Sequence, residues 1–265
     1  MDAESTERAV RTPAGWLAFA FAGLVASSAV GFLLDQRLFT HLQPYRWGPR
    51  SEVAEQQLRP DERPIAQAQL RITARTKGGI ALGCLAAALT LALCMADAFK
   101  RQRAAALVLA PLGAILGGAA GFGGGHLATR LHQYFDGGFG EEATLMQAMA
   151  VQSTAWICTG VGVAFAVWLV GRDVRGLVNS LAGGLLAGLL VGVLYAPIAA
   201  ILFADFRTDR VFPEAGYYPP NPAFGHTGAF LFWAMFTPTL FAAVLGGIGS
   251  RPATKPAPTV TGEQF

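Results

Sequence analysis

Six stretches of this chain contain no Asp, Glu, Lys or Arg: residues 12–34, 78–96, 104–129, 143–171, 176–204 and 215–250. Each is 19 residues or longer. A helix that crosses the hydrocarbon of a bilayer needs about 20 mostly apolar residues. Helices that are apolar on every face belong in lipid or in a large buried core. The charge deficit agrees with lipid: 14% of residues are charged, against about 25% in a soluble domain. The predicted fold class is all-α, a polytopic integral membrane protein of about six transmembrane helices. A soluble bundle would need six helices apolar all round with little polar surface to cover them.

The predicted spans are 14–34, 78–99, 104–127, 144–170, 177–203 and 228–249. Residues 1–13 read as a polar tail. The first span is longer than the 7–15-residue apolar core of a cleaved leader, and Asp35-Gln36-Arg37 follows it in place of a small-residue cleavage site. It reads as a retained signal anchor. Residues 35–77 form a polar extramembrane segment with eight Lys/Arg and five Asp/Glu. Pro60 and Pro64 break its helical pieces, so one or two surface helices are expected, the second over Ile65–Thr76. Residues 250–265, rich in Pro, Thr and Ala, are expected to be a disordered tail.

Within the spans, glycine recurs every fourth residue in two rows. One is Gly113, Gly117, Gly121 and Gly125; the other is Gly184, Gly188 and Gly192. A four-residue step is close to one helical turn, so each row lies along one side of its helix. In lipid, small residues so placed let backbones approach closely, and that packing replaces the missing hydrophobic drive. These seven glycines are the expected helix-packing residues, in a glycine zipper. A shift of 71 residues lays the first row on the second and Arg101 on Arg172. Both copies read as helix, tight basic turn, glycine-row helix. The predicted architecture is a parallel repeat of two similar hairpins packed through spans 3 and 5, about an axis along the membrane normal.

The two tight turns after spans 2 and 4 are basic, through Lys100, Arg101, Arg103, Arg172 and Arg175. That favours both termini on the cytoplasmic side of a bacterial inner membrane. The raw Lys/Arg count runs the other way because residues 35–77 are rich in them, and long polar segments follow the rule less strictly.

Chemistry is sparse. The charge-free stretches hold no ionisable side chain of the kind that marks proton relays and ion pathways. Asp97, at the end of span 2, has Lys100 and Arg101 at helical pairing distance. Cys84, Cys94 and Cys158 fall inside spans without a Cys-x-x-Cys pair, so they read as small packing residues. Glu141-Glu142 lacks an Arg four residues on (Met146 stands there), and no Gly-x-Ser-x-Gly, Walker or His-Glu-x-x-His motif occurs. Gly121–Gly125 lies in an apolar span, not in a strand-to-helix nucleotide loop. His126, His132 and His226 fall near one side of the membrane and form a candidate outer-face polar site. No catalytic residue, metal set or cofactor is predicted, and nothing points to nucleic acid.

The expected partners are the lipid bilayer and a homo- or hetero-oligomer formed through the glycine-rich helices. The expected function is a non-enzymatic assembly or scaffold subunit of a membrane complex. The first alternative is a passive conduit for a small neutral or lipid-like solute, lined by Ser153, Thr154, Asn179 and Ser180. The weaker alternative is a membrane enzyme using the outer histidines and acidic loops.

Overall fold

The computed structural model describes residues 14–33, 63–101, 104–135, 144–171, 176–203 and 225–249. These residues form six helices and no strand: α1 Ala14–Leu33, α2 Arg63–Arg101, α3 Ala104–Phe135, α4 Leu145–Gly171, α5 Leu177–Leu202 and α6 Gly225–Gly249. Four of them are long and apolar enough to cross a membrane, over Arg71–Phe99, Leu107–Phe135, Leu145–Val170 and Leu177–Leu202. Helices α1 and α6 carry shorter apolar stretches, Ala20–Gly31 and Phe232–Gly246. The polar tails, residues 1–13 and 250–265, and all of residues 34–62 lie outside the described residues.

Consecutive helices are neighbours and α6 returns to α1, so the bundle closes on itself; α2 also touches α4 and α6 across the interior. The centre is filled by Leu82, Leu85 and Leu89 of α2, Trp156 of α4, Val191 and Tyr195 of α5, and Trp233 and Phe241 of α6, all fully buried. The Trp156 ring lies 6.4 Å from that of Trp233 and 6.2 Å from that of Phe241. A smaller apolar group, Cys94, Ala98, Ala110 and Val170, closes the far end between α2, α3 and α4.

Helix α2 departs from the sequence expectation. It runs 39 residues without a break, so the piece beginning at Ile65 is the start of the same rod and not a separate surface helix. Pro64 is the reason. It occupies the first turn, where its missing N–H leaves no bond unmade and its fixed φ suits the helix. At 1.5 Å per residue α2 is about 58 Å long, against a hydrocarbon thickness of about 30 Å. Its first turns run beside the end of α3. There Arg75 donates Nε–H to Gln133 Oε1 at 2.7 Å, and Gln133 donates Nε2–H to the Arg71 carbonyl at 3.1 Å. Gln133→Ala removes both bonds. It should speed amide exchange over residues 66–77 while global stability falls by under about 1.5 kcal/mol, the range of one or two exposed hydrogen bonds. Unchanged exchange there would count against the clamp.

The prolines inside helices are Pro111, Pro197 and Pro238. Pro238 frees the carbonyl of Ala234. The neighbouring threonines do not satisfy it: Thr237 donates to the Trp233 carbonyl and Thr239 to that of Met235, one on either side. Each hydroxyl bonds back one turn along its own helix, as Thr90, Thr129 and Thr159 also do.

Candidate functional site

Two features concentrate unusual residues: the glycine contacts and a buried polar layer at one end of the bundle. The glycines of α3 face α2. A Cβ on Gly113 would stand 3.1 Å from Cys94 Sγ, and one on Gly121 would stand 2.6 Å from the Leu82 carbonyl oxygen. One on Gly117 would overlap the Thr90 hydroxyl, and one on Gly125 would overlap the Gly78 carbonyl. The facing residues on α2 therefore include Gly78, Leu82, Ala86, Thr90 and Cys94, themselves four apart. The glycines of α5 face α4 in the same manner. Cβ atoms on Gly184, Gly188 and Gly192 would run into the backbones of Gly160, Trp156 and Ser153 respectively.

Each row thus faces the preceding helix of its own hairpin, and all seven glycines are buried within the chain. The interface between the hairpins, α3 against α4, uses another set. A Cβ on Gly124 would stand 2.7 Å from the Ala155 carbonyl oxygen, and one on Gly162 would overlap Ala120. Helix α1 supplies a third set. Gly23, Ser27 and Gly31 are buried against α6, whereas Ala22 and Ala26 are only half-buried. Gly23, Ser27 and Gly31 follow the same four-residue spacing.

The histidines share one end of the bundle without forming one site. Helix α3 extends past its predicted end to Phe135, so His126 and His132 both ride on it. His126 is exposed and stacks on Phe122 with ring centroids 6.3 Å apart. His132, on a different face, is 7% exposed and engaged within the protein. His226 lies in the first turn of α6, and its side chain is outside the described residues. Among the described residues no three His, Cys, Asp or Glu side chains group to hold a metal ion. The three cysteines are free.

The residues expected to line a conduit diverge. Ser153 is buried against Gly192, and Ser180 donates to the Ala164 carbonyl at 3.1 Å. Thr154 donates to the carbonyl of Ala150 and, like Asn179, lies away from the bundle centre.

No protein-family model, curated protein or solved structure matches this chain. The functional reading therefore stands on the residues themselves. The structure buries Ser27, Thr90, Ser153, Thr159 and Thr237 within the helices, and four further polar residues toward the histidine-bearing end. The four are Lys77, 6% exposed, with Thr129, His132 and Gln152. Lys77 was missed because the charge-free stretch begins one residue after it. The signal that could have found it is Gly78-Gly79, which draws α3 against α2 next to the lysine.

Proposed function

We propose that this chain is a six-span, non-enzymatic membrane protein that acts as an assembly or scaffold subunit of a membrane complex. The observation that supports this most is the filled centre. Trp156, Trp233, Phe241, Leu82 and Leu85 are completely shielded and occupy the space a lumen would need. A passive conduit requires a continuous polar path, and two of its four expected lining residues lie away from the centre. An enzyme reading would need the histidines to converge, and His126 and His132 point to different sides of α3.

The glycine rows act in this reading as zippers within each hairpin, and the hairpins are copies of one unit. The shift of 71 residues that carries Gly121 onto Gly192 also carries Leu82 onto Ser153, and each glycine faces that residue. Because the rows are used inside the chain, an oligomer would be built on the outward faces, such as that of α5 with exposed Leu185, Leu186, Leu189 and Leu190. The basic turns of the sequence favour both termini on the cytoplasmic side of a bacterial inner membrane.

The test is purification of the tagged chain in mild detergent from its native membrane, sized by native mass spectrometry. A fixed-stoichiometry complex or oligomer is expected. A monodisperse 27.9 kDa species in every mild detergent would overturn the reading. Saturable solute flux into vesicles carrying the chain alone would favour the conduit.

A further inference from the structure

We propose that the face of α6 on which α1 lies is an interaction surface between copies of this chain, filled in the assembled protein by α1 of a second copy. This deepens the assembly reading and rests on it. The ground for it is a third hairpin-like unit. In α2–α3 and in α4–α5, the second helix lays a glycine row on the first. Helices α6 and α1 pair in the same way. Helix α1 runs antiparallel to α6, with Gly23 beside Ala242 and Gly31 beside Ala234. Around the bundle the order is α2, α3, α4, α5, α6, α1 and back to α2, so α6–α1 takes the third place in a ring of three.

The likeness extends to individual residues. A shift of 78 residues lays α4 on α6, and both helices then end together, at Gly171 and Gly249. The buried pairs 155–156, 159–160 and 163–164 fall on the buried pairs 233–234, 237–238 and 241–242. Thr159 falls on Thr237, and each donates its hydroxyl to the carbonyl four residues back. A Cβ on Gly184 would crowd the Gly160 carbonyl and the Cβ of Ala164. One on Gly23 would stand 3.3 Å from the Pro238 carbonyl oxygen and 2.8 Å from the Cβ of Ala242, the same two positions after the shift. Helix α1 therefore stands to α6 as α5 stands to α4.

The third unit differs in one respect: its second helix is not tied to its first. Residues 102–103 join α2 to α3 and residues 172–176 join α4 to α5, whereas α6 and α1 come from opposite ends of the chain. The covalent link from α1 to the rest is residues 34–62, a connection of 29 residues. Neighbouring helices of a bundle are ordinarily joined by about 2–8 residues, and 29 extended residues reach roughly 100 Å. Helices pack about 8–10 Å apart, so the α6 of an adjoining copy lies well within that reach. Gly23, Ser27 and Gly31 make the same contacts whether the α6 beneath them belongs to their own chain or to another. Exchange of an identical element is a low-cost route to a dimer for this reason, and it closes when each copy gives one helix and receives one. It adds to contacts between outward faces an interface that needs no new surface. The arrangement with α1 on its own α6 is the single-chain form of that interface.

The test co-expresses two full-length copies with different tags in one membrane, one carrying Gly31→Cys and the other Ala234→Cys. A Cβ on Gly31 would stand 2.8 Å from that of Ala234, which a shift of about 1 Å brings to disulfide geometry. Mild oxidation in the membrane should then link the two tags, well above the background of chains holding only Cys84, Cys94 and Cys158. Gly23→Cys with Ala242→Cys repeats the test two turns away, so a failure of one pair to fold leaves the other. A chain carrying both cysteines of a pair shows that the bridge can form. A bridge in that chain that never joins two copies, together with no link between tags in the mixed membrane, would overturn the exchange. Native mass spectrometry separates this failure from failure of the assembly reading. A fixed oligomer without a cross-tag bridge overturns the exchange alone, and a monomer bridged only within itself overturns both.

Discussion

Replacing Gly188 with leucine is expected to separate α4 from α5 and leave no folded bundle. Even one carbon is too much there. A Cβ on Gly188 would overlap the Trp156 carbonyl oxygen and stand 2.6 Å from its carbon and 2.8 Å from Ile157 Cα. All three are backbone atoms, so no side-chain rotation can relieve the clash. The helices must move apart, and the approaches at Gly184 and Gly192 open with them, because a packed helix pair is not locally deformable. Overpacking ordinarily destabilises by about 1–3 kcal/mol. Gly188→Ala should lie at or above the upper end of that range, and Gly188→Leu beyond it. Gly117→Ala should be milder, since the atom it meets first belongs to the Thr90 side chain. Gly123→Ala is the control. Nothing lies within 4 Å of a Cβ there, so the better helix propensity of alanine should leave the protein unchanged or stabilise it by up to about 1 kcal/mol. Thermal unfolding in detergent reads all four variants. A Gly188→Ala protein as stable as wild type would refute the close approach of α4 and α5.

That contrast separates what the sequence can specify from what it cannot. The absence of charge over long stretches is a one-dimensional property, and it located the apolar parts of all six helices. Spacing is also local, so the buried side of α3 was readable from Gly113 to Gly125. The partner of that side was not, because a row of small residues states that something comes close without stating what. The sequence reading packed the hairpins through spans 3 and 5; the structure turns each row onto the helix before it, where the short connections hold the antiparallel neighbour. Helix ends were legible only to the extent that charge marks them. Lys77 and His132 lie inside the buried bundle, though each adjoins or follows the edge of a charge-free stretch. Pro64 reads as a breaker in isolation and becomes a helix start once the following 37 residues are helical. The histidines show the same limit: the sequence placed them at one end, and only the orientation of α3 shows that His126 and His132 take different sides.

Truncating Trp156 should be nearly as damaging as filling the space at Gly188, for the opposite reason. The side chain is completely buried, with the rings of Trp233 and Phe241 of α6 beside it. Trp→Ala in a water-soluble core costs about 3–5 kcal/mol, as lost transfer energy plus a cavity. In a bilayer the transfer part shrinks, because lipid tails are as apolar as the core; what remains is lost dispersion contact and the void. Trp156→Ala is therefore expected to lose about 3 kcal/mol, read as detergent-solubilised unfolding. Trp156→Phe keeps an aromatic ring against Trp233 and Phe241 and deletes the indole N–H that has no partner, so it should lose less than half as much. The order of the two variants tests the scaffold reading directly. If the alanine variant were as stable as the phenylalanine one, Trp156 would be standing in space that solvent or solute already shares. The centre would then not be solid, and a conduit through the bundle would become the better account of the same residues.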